Sequence, residues 1–457
     1  MTAISRNRSA RRLGTGLACV LGLAASATAW ADTTALEHVR LIDGNGGAPA
    51  ADVTVLIDGG RIAAVGPAGQ VTLPAGTRRI DLAGRTLMPG MVSDHSHLGM
   101  TDGTSAGPQN YNRGNIERQL RQFQRYGVTT VTSLGLNGPL FQTLREQAHA
   151  GIGVGADVFG ADRGIGVPEG APPVGVGPDQ LYRPATPEQA RAAVRDMATR
   201  KPDLVKVWVD DFNHTLAHKM KPEIYRAVID EAHRHGLRVA AHVYYLEDAK
   251  RLVADGADIL AHGVRDLPID DALVAAMKRQ GTWYVATLDL DEAFYIYAEQ
   301  PDWMKAPFFR GALQPALAAQ FDDAAWRDKI LADPAKLKVW EDGLKTNQAN
   351  LKRLVDAGVK VGFGTDSGAM PLRIPGFAEH RELQLAVQAG LSPLRAITMA
   401  TRDAAALLGL DDRGVIAPGK RADLVVLAGD PSHDIADSEK VEAVWQNGRQ
   451  VAGPVVP

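Results

Sequence analysis

Between positions 37 and 65 apolar and polar residues alternate with a period of two, and Asp43-Gly44, Gly46-Gly47 and Asp58-Gly59-Gly60 interrupt the alternation. Alternation punctuated by such pairs predicts β-hairpins. Short strands of the same kind return at 422–427 and 441–445, with Asn447-Gly448 as another hairpin turn. Neither end of the chain alone is long enough for a stable sheet, so the two are expected to pair into one small composite β-sandwich, 32–88 with 411–457.

From 89 to 410 the pattern changes to strand, loop, helix, repeated. Apolar strands are predicted at 88–92, 128–132, 154–159, 204–209, 237–241, 258–261, 283–287 and 359–364, with helices at 115–126, 187–199, 222–235 and 346–357. In the third helix Ile224, Ala227, Val228 and Ala232 follow helical spacing, Pro222 suits the first turn, and Gly236 suits the position after the last. Eight strands alternating with helices give an α/β fold of the (β/α)8 TIM-barrel kind; a doubly wound open sheet is the runner-up. The connection at 288–345 far exceeds a usual βα loop and carries nine aromatic residues, among them Phe294, Tyr297, Trp303, Phe321 and Trp340. Two readings stand: a lid or substrate wall on the loop face of the barrel, or a helical subdomain whose aromatics pack on each other.

Composition narrows the chemistry. A net charge of -3 gives no basic footprint for nucleic acid, and 45% hydrophobic with 23% charged residues excludes both a mainly disordered chain and a multispanning membrane protein. Residues 1–31 read as an export signal: four arginines at 6, 8, 11 and 12, an apolar run at 13–29, and Ala29-Trp30-Ala31 as a cleavage site, which places the mature protein in the periplasm without a membrane anchor. The one cysteine, Cys19, falls inside that segment, so the mature chain is expected to contain none. Any bound metal must then take nitrogen and oxygen ligands.

In a barrel the reactive side chains sit at the C-terminal ends of the strands. The first strand leads into His95-Ser96-His97, whose spacing puts both imidazoles on one side of a strand. Twelve histidines give such a pair by chance often enough that it is weak alone, and the pairs His214/His218 and His233/His235 read as surface residues. Other strand ends strengthen the signal. Lys206 interrupts strand four, His242 closes strand five, His262 closes strand six, and Asp366 closes strand eight within Gly-Thr-Asp-Ser-Gly. A buried lysine ammonium without a partner costs several kcal/mol, so Lys206 must be paired, neutral or chemically modified.

These residues, with Leu41-Ile42-Asp43-Gly44, the run 87–92 (Leu-Met-Pro-Gly-Met-Val), His262-Gly263, and the run 414–424 (Gly-Val-Ile-Ala-Pro-Gly-Lys-Arg-Ala-Asp-Leu), make the chain resemble the amidohydrolase superfamily. Within it, the chain is similar to the imidazolonepropionase-like group that includes secreted Xaa-Pro dipeptidases. The resemblance implies two divalent ions. His95 and His97 would hold the first with Asp366, His242 and His262 the second, and Lys206, carboxylated by CO2, would bridge them. Such a ligand set suits zinc or a similar ion, a bridging hydroxide would be the nucleophile, and Asp366 would act as general base and then general acid. Two positions depart from the family pattern: Ser93, with Asp94 shifted by one, stands where an acidic residue is usual, and Ala261 stands where glutamate is common.

The expected activity is hydrolysis of C–N amide bonds in small molecules of the dipeptide or N-acyl amino acid type. Cyclic amides, lactones or phosphoesters are the alternative substrates for the same site, and a non-catalytic periplasmic binding protein is the rival from another class. Substrate-contact candidates are Tyr111, Arg113, Asn137, Arg163, Tyr244 and Met370, all in loops on the expected site face. No nucleic-acid or membrane partner is expected, and the sequence leaves room for a homo-oligomer.

Overall fold

The computed structural model describes residues 33–454; the expected export segment lies outside the described residues. Strand Thr34–Leu41 pairs antiparallel with Ala50–Asp58, which pairs with Arg61–Pro67. On its other side it runs parallel to Arg78–Asp81 and Thr86–Pro89. Thr86–Pro89 then takes Leu424–Leu427 antiparallel, followed by Val441–Gln446 and Arg449–Ala452. The two ends of the chain therefore share one eight-stranded sheet. Leu36, Val55, Ile57, Ile80, Leu87, Leu424, Val426 and Trp445 form its apolar core. Asn447 and Gly448 both adopt positive φ, as the tight hairpin predicted there requires.

The expected strand at 88–92 is divided. Met88 and Pro89 belong to the terminal sheet, and the first strand of the parallel layer is Met91–Ser96. It forms a three-stranded parallel sheet with Val128–Leu134 and Asp157–Ala161, while Val205–Trp208, Val239–His242, Ile259–Leu260 and Trp283–Tyr284 form a four-stranded one. Single parallel bridges, Ala161 to Leu204, Tyr284 to Val361 and Ser96 to Ser367, link their edges. This is a TIM-barrel-like α/β fold.

The eighth expected strand, 359–364, lies between its two expected neighbours and is joined to them by isolated bridging and single backbone hydrogen bonds rather than a continuous ladder. The Gly362 N–H donates to the Tyr284 carbonyl at 2.9 Å, and the Phe363 carbonyl accepts from the Asp94 N–H at 2.6 Å. The Phe363 N–H turns to the Asp94 carboxylate at 3.0 Å, and the chain leaves the sheet at Asp366, whose φ is 62°. Gly368, at φ 82°, sits so close to this turn that a Cβ would lie 2.1 Å from the His97 carbonyl oxygen.

The helices Arg113–Arg125, Pro187–Ala198 and Pro222–Arg234 match the periodic stretches, and Asn112 and Thr186 cap the first two by accepting from backbone N–H groups. The fourth expected helix is longer than its pattern suggested, Pro334–Asp356: it begins twelve residues before the expected start, with Asp333 as its N-cap. The insertion is helical, and most of its aromatics pack on each other: Tyr297 stacks on Phe309 and Phe321 at 5.7 and 4.6 Å. Phe294, stacked on Trp340 at 4.8 Å, instead faces Arg373 of the strand-eight loop. No helix among the described residues is long and apolar enough to cross a membrane.

His380, on helix Phe377–Gln388, is buried between Ser438 Oγ at 3.0 Å and the Tyr126 carbonyl at 2.7 Å. Burial lowers its pKa to about 4, so the folded state holds it neutral where the unfolded chain, near 6.5, already binds a proton. Its contribution to stability is complete above pH 6.5 and is lost as the pH falls toward 4, about 3 kcal/mol over that window. Urea midpoints at pH 7.5 and 4.5 should therefore differ more for wild type than for His380→Gln; an equal difference in both proteins would contradict this.

Candidate metal centre

His95 and His97 stand at the end of strand Met91–Ser96. Both rings are turned by their Nδ1 atoms, His95 against the Ala261 carbonyl at 2.5 Å and His97 against the Gly135 carbonyl at 3.2 Å. Their Nε2 atoms thus converge on Asp366 Oδ1, at 3.2 and 3.1 Å. His262 has its Nδ1 2.9 Å from Thr287 Oγ1, and its ring lies 4.4 Å from His95 and 4.3 Å from His242. One donor atom from each of His95, His262 and Asp366 falls within 4.8 Å of the others. Fixing one ring nitrogen so that the other faces inward is the usual arrangement around a metal.

Lys206 lies among these imidazoles, fully buried, with Nζ 3.5 Å from His95 Nε2. Among the described residues no carboxylate oxygen comes within 4.0 Å of that nitrogen. Burial lowers its pKa to about 7, which leaves a large fraction as the free amine that CO2 requires. Burial, with Lys206 as the next cause, takes His95 down to about 3, and burial holds His242 and His262 below the ordinary histidine range. All three are neutral at physiological pH with lone pairs free to ligate. Burial would push the Asp366 carboxyl up, but the Arg373 guanidinium and the two imidazoles outweigh it and hold it well below the usual carboxylate range.

The site fits a divalent cation. Among the described residues both ring nitrogens of buried His242 lack a hydrogen-bond partner, and four buried imidazoles surround a carboxylate and an amine that has no carboxylate within 4.0 Å. The six residues singled out at the strand ends are thus brought to one place by five segments of the barrel.

Three contributors carried no local signal in the sequence. Arg373 donates from Nη1 to Asp366 Oδ2. Glu379, fully buried, accepts from Ser93 at 3.1 Å, Thr365 at 2.7 Å and Ser367 at 2.8 Å, fastening strand one to the turn that presents Asp366. Ser93, which replaces the family's usual acid, therefore works with a carboxylate delivered from helix Phe377–Gln388. Thr287 holds His262 from a backbone with φ 51°. At the other departure, Ala261 serves through its carbonyl.

The substrate-contact candidates are distributed unevenly. Tyr244 lies under the Arg265 guanidinium at 4.7 Å, and Arg265 pairs with Asp291 at 3.2 Å, both buried. Tyr111 donates its hydroxyl to the Gly138 carbonyl at 3.3 Å. Asn137 is buried and bonds Ser133 and the Ala161 carbonyl, so its side chain ties loops together. Arg113 is engaged with Glu117 and Gln147 on an exposed helix face. Arg163 covers the Tyr182 ring at 4.8 Å and donates to the Pro178 carbonyl, and Met370 is 43% exposed.

Residues 86–451 match the amidohydrolase family. The imidazolonepropionase of Cutibacterium acnes is 27% identical over 410 residues, spanning 82% of this chain and 84% of that protein. That of Deinococcus deserti is 42% identical over 104 residues, only 22% of this chain and 26% of the relative. Among solved structures, a chain from Bifidobacterium longum assigned as a prolidase superposes with a TM-score of 0.75 at 26% identity, covering 92% of this chain and 95% of its own. A Xaa-Pro dipeptidase with bound methionine in its active site shares the fold, with a TM-score of 0.72 at 24% identity over 92% of this chain and all of its own. A match running from the terminal sheet through all the strand ends that carry the cluster leaves one assignment: the chain belongs to the amidohydrolase family.

Proposed function

We propose that this amidohydrolase cleaves C–N amide bonds in small molecules of the dipeptide or N-acyl amino acid type, using two divalent ions. His95, His97 and Asp366 would hold one, His242 and His262 the other, with Lys206 as its carboxylate adduct between them. The observation that carries this reading is the fully buried Lys206 amine, without a carboxylate partner, 3.5 Å from a ligand imidazole. Carboxylation converts that amine into an anionic oxygen donor, whose charge the divalent ions would offset.

Ions held there would acidify a water and polarise the scissile carbonyl. The protein's own part falls to Asp366. Its Oδ1 faces the centre, while Arg373 keeps the carboxylate ionised and oriented, so it takes a proton from the attacking water and returns it to the leaving nitrogen. One water is consumed, and the amide becomes a carboxylic acid and an amine. Tyr244 and Arg265 offer a polar wall beside His242.

Similarity to imidazolonepropionases over most of the chain favours a cyclic C–N substrate as the second reading. The same reading takes 1–31 as an export signal for a periplasmic enzyme, and the shared terminal sheet as a sandwich formed by 32–88 with 411–457.

A panel of dipeptides, N-acyl amino acids, cyclic amides, lactones and phosphoesters tests the proposal. Dipeptides or N-acyl amino acids should be hydrolysed, activity should vanish on chelation and return with zinc, and purified protein should carry close to two ions per chain. A fully metallated protein that cleaves only lactones or phosphoesters would overturn the substrate class, and one that cleaves nothing would favour a binding protein.

A further inference from the structure

We propose that Asp210 is an additional carboxylate ligand of the second ion, joining His242 on the strand-four side of the site; this rests on the two-ion reading above. Asp210 is fully buried. The Phe212 backbone N–H, 2.9 Å from Oδ1, fixes the carboxylate. Its other oxygen, Oδ2, has no hydrogen-bond partner among the described residues and lies 3.4 Å from His242 Nε2.

His242 is the exception among the four imidazoles. The other three have Nδ1 tied to a carbonyl or hydroxyl oxygen, whereas among the described residues neither nitrogen of His242 makes a hydrogen bond, so the Asp210 contact is not one. Two donors that share an ion at about 2.0–2.2 Å in a tetrahedral site stand about 3.4 Å apart. His95 and His97 approach Asp366 Oδ1 at 3.2 and 3.1 Å in the same manner. Asp210 and His242 thus have the spacing of co-ligands.

Charge supports the same assignment. Among the described residues no lysine or arginine nitrogen lies within 4.0 Å of the Asp210 carboxylate, and the Arg265 guanidinium nearby is paired with Asp291. A buried carboxylate is stable only beside a cation or strong donors, and Oδ2 has neither until an ion occupies the space between it and His242. The edge of the Phe212 ring, 4.6 Å from the His242 ring, covers this side of the site.

Asp210→Asn keeps the volume and the acceptor for Phe212 while removing the anionic donor. Zinc titration against a competing chelator, followed by metal analysis, should show the second ion held at least about tenfold more weakly, with the first ion unaffected and the melting temperature of the metal-free protein unchanged or raised. Asp210→Asn that retains two ions at wild-type affinity overturns the proposal while leaving the two-ion reading intact. Wild type that takes up a single ion ends both. A crystal structure of the zinc-loaded wild type decides independently of any variant: Oδ2 within about 2.2 Å of zinc supports the assignment, and a separation beyond about 3 Å overturns it.

Discussion

Lys206→Ala is expected to reduce metal content from close to two ions per chain to one or fewer, and to lower kcat/KM at least about 10²-fold. Even partners outside the ligand set cost about 10–100-fold when removed, and Lys206 is central to the cluster. Its Nζ lies 3.5 Å from His95 Nε2, and alanine leaves a cavity where the bridging oxygens would sit. A short carboxylic acid such as acetate or propionate supplied in solution should recover part of the activity, because it restores a carboxylate to that cavity. Lys206→Met separates stability from chemistry. It fills the volume without an amine, so the metal-free protein should be as stable as wild type or more so, since a buried unpaired ammonium is removed. Metal analysis and steady-state kinetics read the first effect, and thermal unfolding of metal-free protein reads the second. Lys206→Ala with full metal content and full activity would remove Lys206 from the site.

Asp366→Asn is expected to lower kcat by about 10²–10⁴-fold with a smaller effect on KM, the range for losing a positioned proton-transfer group. Three groups meet on this carboxylate: His95 and His97 at Oδ1 and Arg373 at Oδ2. An amide in its place cannot accept a proton from water, and it leaves the buried Arg373 guanidinium without its anion. A fall in melting temperature should therefore accompany the loss of rate, since a charge buried without its partner costs about 3–5 kcal/mol. If kcat is unchanged while metal is retained, the proton is carried by another group. The most direct rival is the pair of Arg265 and Asp291 beside Tyr244, and Asp291→Asn should be measured alongside.

The six candidate ligands were legible because each interrupts or closes an apolar strand at the end where barrel sites form. Lys206 stands out within Leu-Val-Lys-Val-Trp, and no packing rule accounts for it there. Arg373, Glu379 and Asp210 were not legible. Glu379 acts on Ser93 across 286 positions, a relation that exists only once strand one and the strand-eight turn lie side by side. Asp210 simply follows strand four in the sequence, and its burial beside His242, with the Phe212 ring 4.6 Å from that imidazole, exists only in the folded chain. The eighth strand is held more sparsely than its apolar run predicts: its backbone bonds to Tyr284 on one side and Asp94 on the other, while the Asp94 side chain takes the Phe363 N–H that a full ladder would use.

By itself the sequence determined the alternation of strands and helices, the pairing potential of the two chain ends and six candidate donors at strand ends, since these follow from periodicity, turn residues and polar breaks in apolar runs. Only the tertiary structure decided which nitrogen of each histidine faces inward, which carboxylates lose contact with water, and which distant acid fastens the turn bearing Asp366. Ring orientation and desolvation are set by neighbours brought from elsewhere in the chain, and pairing in space leaves no periodic trace along the sequence.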